Sequence, residues 1–553
     1  MRGIAAQEGF WLCSDAGFQQ KGYRMYRNNL RLIGAVSVAA TAAAGSASAQ
    51  SVSADQIDKL QAQIETLQRE LRSLKSKVNT AEKAAEQAAA KAAEKAAEKA
   101  AEKAYAAATP ATKMPQPPPS AIVKMSPSNR PSICTPDGLN CIALTSRLHF
   151  DAGGYSYSPN TAATIPQHLD DGVNARRARI GVIGTFLGDW NYYLIYDFGG
   201  SSDGFGGTAS GSLPGGAASG IENAYLSYTG IKPFGGNLAI EAGYMDLLYT
   251  LGESMSSNDI LFMERASSNV IATNIAAGDF RSAAGARWYN DSFWIGAYAT
   301  GPTAGAIHSG SSSSPAATTE QWGGVARAAV QYTAAKDVTF HIGGDVQFLF
   351  KPPFNRIAGT QTLTLSDRPE LRIDPTSIVT TGSIADVSSA AVFSVEAAAT
   401  YGPFFVQGEY FWYNIGRREF TGRPNLDFNG GYVEAAFVLT GETHTYNAGA
   451  AAYNGIVPAN PFSLSSSGWG AWEIAGRYSV IDLNDRLGFA APDGVAGGKQ
   501  TVYTAGINWY VNRNVRFMFN YLHGDIDKQA SATNTADVGA RFDAAAMRMQ
   551  VAF

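Results

Sequence analysis

The sequence predicts an all-β transmembrane barrel over residues 144–553, preceded by an N-terminal α-helical coiled coil. Three observations support this fold class. Apolar and polar residues alternate with a period of two through most of the C-terminal region, short turns alternate there with long Gly- and Ser-rich loops, and a heptad pattern runs through residues 57–78. The mean hydropathy of −0.12 excludes a helical membrane protein by composition.

Residues 25–49 have the form of a signal peptide. Arg27 and Arg31 supply a basic n-region, and 47–49 is a small-x-small cleavage site. The apolar run between them is too short to span a bilayer as a stable helix. Residues 1–24 are interpreted as an upstream extension. An uncleaved anchor helix is the alternative, but the cleavage site favours an exported protein.

Residues 50–104 are predicted to form a periplasmic helix. Seven apolar residues follow one another at alternating spacings of three and four, which is the a/d seam of a coiled coil: Ile57, Leu60, Ile64, Leu67, Leu71, Leu74 and Val78. Because such a narrow seam cannot bury itself in one helix, we expect self-association; a trimer is compatible with it, and the strand number stays open. The Ala-, Lys- and Glu-rich repeat at 81–104 either continues this helix or forms a solvated linker.

Residues 105–143 are interpreted as a Pro-rich linker, and the stretch 110–132 is predicted to contain neither helix nor strand. Cys134 and Cys141 flank a Pro-Asp-Gly turn in this linker. Two cysteines at this spacing in an exported protein predict a disulfide, with two free thiols as the alternative. No histidine or second cysteine pair lies close by in the sequence, so no metal site is expected.

The last eleven residues, DAAAMRMQVAF, illustrate the alternation of the predicted barrel. Met549, Val551 and Phe553 share one face with Met547, and Arg548 lies on the other. In a barrel the apolar face contacts lipid and the polar face lines a wet lumen. A soluble β-sandwich rarely needs some 410 residues for one domain, and a β-helix would show a short sequence repeat, which we do not find. We expect the last strand to pair with the strand that opens near Leu148.

Six segments resemble the phosphate-selective porin O and P family and occur in the family's order: RRARIGVIGTFLGDWNYYLIYDF (176–198), SSNDILFMERAS (256–267), GEYFWYNIGR (408–417), GGYVEAAFVLTGE (430–442), GAWEIAGRYSVIDLND (470–485) and YTAGINWYVNRNVRFMFNYLH (503–523). The resemblance implies 16 antiparallel strands, a homotrimer and a narrowed pore lined by arginines and lysines. It also implies a location in the outer membrane of a Gram-negative bacterium, with the N-terminal region in the periplasm. A terminal strand that ends in Phe, as at Phe553, is the signal that the barrel-assembly machinery recognises in many outer-membrane proteins.

Six arginines are candidate pore-lining cations: Arg177, Arg179, Arg265, Arg477, Arg516 and Arg548. Strand parity points five of them inward, because a cation on the lipid face would cost about 2–4 kcal/mol at mid-bilayer, and Arg265 is placed on an inward-folded loop. The alternative is that they pair with inward carboxylates such as Glu473 or, for Arg265, with Glu264 or another acid that holds the loop. Residues 142–553 contain 5 Lys and 20 Arg, compared with 35 Asp and Glu residues. The resulting negative charge does not favour an anion filter, although selectivity is set locally.

The predicted function is a passive outer-membrane porin for small hydrophilic solutes or ions, anions such as phosphate included. The alternative is an envelope-tethering protein, anchored by the barrel, that contacts peptidoglycan through its coiled coil. Outer-membrane lipid and lipopolysaccharide are expected partners, and a net charge of −4 does not suggest nucleic-acid binding. No G-x-S-x-G, H-E-x-x-H or EF-hand pattern occurs, so no enzyme and no cofactor are expected, with an outer-membrane lipase or protease as a weaker third option.

Overall fold

The fold is seen in a computed structural model that describes residues 121–126, 129–160, 168–199, 220–276, 281–303, 321–355 and 359–553. The predicted upstream extension (1–24), signal peptide (25–49) and coiled coil (50–104) lie outside the described residues.

Sixteen antiparallel strands form a closed barrel. They are β1 (Cys141–Pro159), β2 (Gly172–Phe186), β3 (Trp190–Asp197), β4 (Gly220–Ile231), β5 (Asn237–Met245), β6 (Arg281–Tyr289), β7 (Phe293–Thr303), β8 (Trp322–Ala335), β9 (Val338–Lys351), β10 (Val387–Tyr401), β11 (Phe404–Arg417), β12 (Leu426–Val438), β13 (Ala471–Asp485), β14 (Val495–Tyr510), β15 (Val515–Asp527) and β16 (Ala540–Ala552). Each strand pairs with the next, and β16 pairs back onto β1 with Val551 opposite Leu148. The predicted 16-stranded barrel is therefore confirmed.

The two faces of the wall differ as the alternation predicts. On β15, Phe519 and Tyr521 point outward and are about half exposed. The alternate residues Met518 and Asn520 point inward and are buried. The same contrast holds on β9, where Ile342 is exposed and His341 is buried. Since a barrel in a bilayer presents apolar side chains to lipid, the outward face forms the membrane-contacting band.

Aromatic side chains line the outer wall where β13, β14 and β15 approach their short turns. The ring centroids of Trp472 and Trp509 lie 5.3 Å apart, and those of Trp509 and Phe517 lie 5.6 Å apart, in both cases stacked. Such a girdle sits at the boundary between hydrocarbon and headgroups, where an aromatic ring is stabilised by both environments.

Connections after even-numbered strands are two to five residues long, with one exception. The exception is 439–470, between β12 and β13, which we call the inward turn. It contains two short paired strands, Tyr446–Asn447 and Ala452–Tyr453, and both side chains of the second strand are buried. This connection enters the lumen from the end of the barrel that carries the short turns, which we call the turn side.

The connection between β5 and β6 also folds into the lumen, and we call its described part (246–276) the inward loop. It carries two helices, α1 (Leu251–Ser254) and α2 (Ser267–Ala276), most of whose residues are buried. Within the described residues, neither helix is long and apolar enough to cross a membrane. Leu251 and Phe262 of this loop pack in one cluster with Tyr453 of the inward turn.

The connection between β9 and β10 (352–386) forms a second inward loop, because its Leu371 packs in one cluster with Ile271 of α2 and with wall residues. Short elements complete the connections: the strands Phe354–Asn355, Thr360–Leu363, Ser366–Asp367, Val379–Thr380, Ile384–Ala385, Gln529–Ser531 and Asn534–Asp537, and the 3₁₀ turns Pro233–Gly235 and Glu419–Thr421.

The segment predicted as a linker without strands differs from the prediction. Ile122–Met125 and Pro131–Cys134 form an antiparallel hairpin, and the second of these strands pairs with the start of β1. Cys134 and Cys141 are joined by a disulfide beside this pairing. The segment is rich in proline, but the β-branched residues in the hairpin favour extended backbone. The first strand of the barrel wall begins at Cys141 and not at residue 144.

Candidate functional site

Glu264, in the inward loop, is the centre of a buried ion-pair network. Arg176 donates two hydrogen bonds to its carboxylate, of 2.7 and 2.9 Å, and Arg548 donates a third of 2.8 Å. Arg548 also binds both oxygens of Asp151 at 2.7 Å. The network joins the loop to β2 and to the seam where β16 meets β1, so it fixes the loop against the wall.

The charge of Glu264 is stabilised by these arginines. Burial by itself would raise the pKa of Glu264, but the attraction of Arg176, Arg548 and Arg177 outweighs burial and holds the pKa well below its ordinary value. The carboxylate is therefore ionised and able to accept all three hydrogen bonds.

Arg477 and Arg516 also reach the inward loops from the wall. Arg477 donates to the backbone oxygen of Glu264 at 2.8 Å and to the Glu370 carboxylate of the second inward loop at 2.6 Å. Arg516 donates to the backbone oxygen of Ile260 at 2.9 Å. Both guanidinium groups point inward, as strand parity predicts, and bind loop oxygens.

Arg265 lies on the inward loop and stabilises that loop internally. It donates to the backbone oxygens of Gly252 and Met255 and lies 3.2 Å from the carboxylate of Glu253. The alternative role, an ion pair with Glu264 or another acid that holds the loop, is observed with Glu253, while Arg176 and Arg548 bind Glu264.

Arg177 and Arg179 face the lumen side by side but have different partners. Arg179 binds the carboxylates of Asp197 and Glu222. Arg177 is 2% exposed, and in the part of the chain that the structure describes neither its Nε nor its Nη1 finds a hydrogen-bond partner. The acid that attracts it, Glu264, is already bound by two other guanidinium groups. Arg177 therefore brings a positive charge that no carboxylate of its own balances.

The opposite end of the inward loop is fixed by residues that the sequence analysis did not single out. Glu409 accepts hydrogen bonds from the backbone N–H groups of Leu251 and Gly252, at 2.6 and 3.0 Å. Arg327 donates to Ser254 Oγ at 2.6 Å and also binds Glu396 of the wall. Alternation places both wall residues inward, but nothing in their local sequence indicates contact with a loop more than 70 residues away in the chain.

The inward turn is held by the same region of the wall. Arg327 donates to the backbone oxygens of Ala450 and Ala451, at 2.9 and 2.7 Å, so a single side chain contacts wall, loop and turn. His444 of the turn lies 2.6 Å from Glu473. The alternative that wall arginines pair with inward carboxylates is observed for Arg179, Arg477 and Arg548. Glu473, the example given, is instead bound by His444 at one oxygen and by Asn508 and Tyr510 at the other.

A cavity of about 1620 Å³ opens inside the barrel on the turn side. Its inner end is formed by Ser256, Asn258 and Asp259 of the inward loop, and eight basic and five acidic residues line it. Burial raises the pKa of Asp259, although Arg516 and Arg147 act in the opposite direction. Arg147 donates to the hydroxyl groups of Ser257 and Ser256. The cavity wall is thus polar, with an excess of cationic groups.

Among the described residues, one group of three acids is compact enough to suggest a metal site. Oxygens of Asp345, Glu396 and Glu409 all lie within 4.8 Å of one another. Arg327 and His341 already bind Glu396, and four donors already bind Glu409. A guanidinium within this group argues against a bound cation, and we assign no metal here.

The chain is similar in sequence to known proteins. The model of the family described as phosphate-selective porin O and P matches residues 142–553. An uncharacterized protein of Caulobacter vibrioides is 33% identical over 162 residues, which cover 29% of this chain and 30% of that protein. Porin O of Pseudomonas aeruginosa is 29% identical over 140 residues, 25% of this chain and 30% of that protein. The alignments thus span under a third of either relative.

Solved structures of barrels are also similar to the chain. The outer-membrane protein OmpT of Vibrio cholerae, in its trimer form, superposes with a TM-score of 0.41 at 12% identity, covering 74% of this chain and 99% of OmpT. At that level of similarity we draw no inference from the superposition.

Proposed function

Because the chain belongs to the phosphate-selective porin O and P family, we propose that it is an outer-membrane porin through which small hydrophilic solutes or ions pass down their gradients. The observation that carries this proposal is the open polar cavity of about 1620 Å³ that ends at the inward loop. A closed wall with an apolar outer face separates such a cavity from lipid. A passage narrowed by a loop suits small solutes rather than macromolecules.

We further propose a preference for anions, set locally against the negative charge of the barrel as a whole. Arg177 supports it, because this buried guanidinium has no hydrogen-bonded carboxylate among the described residues. The excess of basic over acidic groups around the turn-side cavity also favours anions over cations. A positive local potential raises the concentration of anions at a constriction and lowers that of cations.

Planar-bilayer recording of the purified protein tests both proposals. Discrete conductance steps are expected, with a reversal potential in a salt gradient that indicates anion preference. Arg177→Gln should shift that potential towards cations. The matched control is Arg541→Gln, because the Arg541 side chain is 70% exposed on the outer wall and should leave the potential unchanged.

The possible outcomes separate the two proposals. Absence of conductance steps from folded wild-type protein would contradict the porin. Steps with a cation-selective wild-type potential would contradict the anion preference alone. An unchanged potential in Arg177→Gln would show that Arg177 belongs to the wall and does not select.

We also propose that the porin is a homotrimer whose coiled coil, residues 50–104, bundles in the periplasm. The a/d seam supports this, because an exposed apolar seam is stabilised by self-association. The molar mass of the detergent complex should correspond to three chains, and deleting residues 50–104 should weaken the trimer at unchanged single-channel conductance. A monomeric mass for the full chain would contradict the proposal. Unchanged conductance and mass with altered envelope integrity would favour the tethering role.

A further inference from the structure

Glu409 is placed to position the inward loop. Its two carboxylate oxygens accept four hydrogen bonds: from the N–H groups of Leu251 and Gly252, from Asn269 Nδ2 at 3.0 Å and from Tyr432 OH at 2.6 Å. Leu251 and Gly252 open α1, and Asn269 lies in α2. One wall carboxylate therefore binds both helices of the loop. Four donors on two oxygens fill the acceptor sites of a carboxylate.

Two further carboxylates crowd Glu409. Oxygens of Asp345 on β9 and Glu396 on β10 approach those of Glu409 to within 4.8 Å, and all three residues are at least nine-tenths buried. Arg327 and His341 bind Glu396, which leaves one guanidinium for three acids. Full ionisation of all three groups at this separation, away from water, is strongly unfavourable.

Asp345 is the member of this group with the fewest stabilising contacts. It accepts a hydrogen bond from Ser394 and interacts with the hydroxyl group of Tyr249, whereas Arg327 and His341 bind Glu396 and four donors bind Glu409. No guanidinium in the described structure forms an ion pair with it. Tyr249 of the inward loop and Tyr413 of β11 are the other titratable groups that face this cluster. A proton on Asp345 therefore removes the repulsion among the three carboxylates and disturbs fewer hydrogen bonds than a proton on Glu396 or Glu409.

We propose that Glu409 is the positioning residue of the inward loop and that Asp345 carries a proton while the loop is docked, so that docking weakens reversibly as pH rises. The sign follows from linkage. Asp345 is neutral in the docked state, whereas in the released, hydrated state it ionises at about pH 4, the ordinary Asp value. Release therefore loses a proton, and alkaline pH favours release.

The proposal rests on the proposed porin only for its effect on conductance, so the primary test measures docking directly. Hydrogen exchange of the amides of Leu251 and Gly252 is compared at about pH 6 and about pH 9, after correction for the pH dependence of intrinsic exchange. We expect the wild type to lose at least tenfold in protection at the higher pH. Single-channel current noise should rise over the same interval.

Asp345→Asn removes the titration of this side chain and keeps its shape, because asparagine has nearly the shape of a neutral aspartic acid. This variant should keep the protection at both pH values. Glu409→Gln should lose it at both, since an amide has only one acceptor oxygen for the four donors. The matched control is Asp543→Asn, whose side chain is 47% exposed on the outer wall and which should behave as the wild type.

Two results would overturn the proposal: equal wild-type protection at both pH values, a measurement that needs no variant, or an alkaline loss that persists in Asp345→Asn. A pH-dependent loss of protection in a protein that never conducts would support this proposal and contradict the porin. Conductance steps together with pH-independent protection would support the porin and contradict the pH-dependent docking of the inward loop.

Discussion

Glu264→Gln is expected to weaken the attachment of the inward loop to the wall while the barrel stays closed. The substitution keeps the size of the side chain and removes the charge that Arg176 and Arg548 contact through three hydrogen bonds. Arg548 keeps both of its bonds to Asp151, which join β16 to β1. The perturbation therefore acts on the attachment of the loop and spares the seam.

The magnitude follows from the burial of the network. Removing one partner of a buried ion pair costs about 3–5 kcal/mol. The amide oxygen of glutamine still accepts one hydrogen bond, which recovers roughly 1–2 kcal/mol of that cost. A net loss of about 2–3 kcal/mol raises the population of the released loop by about 30- to 140-fold. The backbone bonds from Arg477 and Arg548 to the loop remain and keep the released state a minority.

Single-channel recording and hydrogen exchange together measure this change. Open-channel noise should increase, and amides of 260–264 should exchange faster by about the same factor as the released population rises. Glu419→Gln serves as the matched control, because Glu419 is exposed in the connection between β11 and β12. Wild-type noise and wild-type protection in Glu264→Gln would refute the view that this network holds the loop.

Three further outcomes are expected. The pKa of Glu264 is lowered in the docked state, so the stability that its charge gives to docking is lost as pH falls through that lowered value. The contacts of Glu264 should therefore hold from neutral pH to about pH 5. Faster hydrogen exchange of the amides of 260–264 at pH 5 would contradict this. Reduction of the disulfide between Cys134 and Cys141 should destabilise the hairpin by about 2.5 kcal/mol, seen as proteolysis at 122–134 with an unchanged unfolding midpoint of the barrel. Ile342→Arg, on the outer wall, should cost about 2–4 kcal/mol in urea unfolding, against little change for Ile342→Leu.

The wall of the barrel follows from local sequence because a two-residue period has only two outcomes, lipid or lumen. That rule orients Arg477, Arg516 and Arg548 without knowledge of their neighbours. It does not give their partners. Arg548 and Glu264 are 284 residues apart in the chain, and their contact depends on how a loop folds back into a closed lumen, for which the neighbouring residues carry no signal.

The inward turn shows a different limit. Residues 439–470 contain the Gly, Ser, Pro and Asn typical of an exposed loop, and the buried state of Tyr453 is not visible in that composition. Counting strands offers the available signal, because every other described connection on the turn side is two to five residues long. A connection of this length on that side needs somewhere to fold, and the lumen is the space next to it.

The ion pairs of Arg548 also link the closing seam of the barrel to the inward loop. Arg548 lies on the last strand, its partner Asp151 on the first, and its other partner Glu264 on a loop between them. Arg548 lies opposite Asp151 where β16 pairs with β1, so this ion pair spans the closing seam of the wall. The side chain that joins the last strand to the first therefore also binds the inward loop, and it adds one attachment to those made by Arg176 and Glu409.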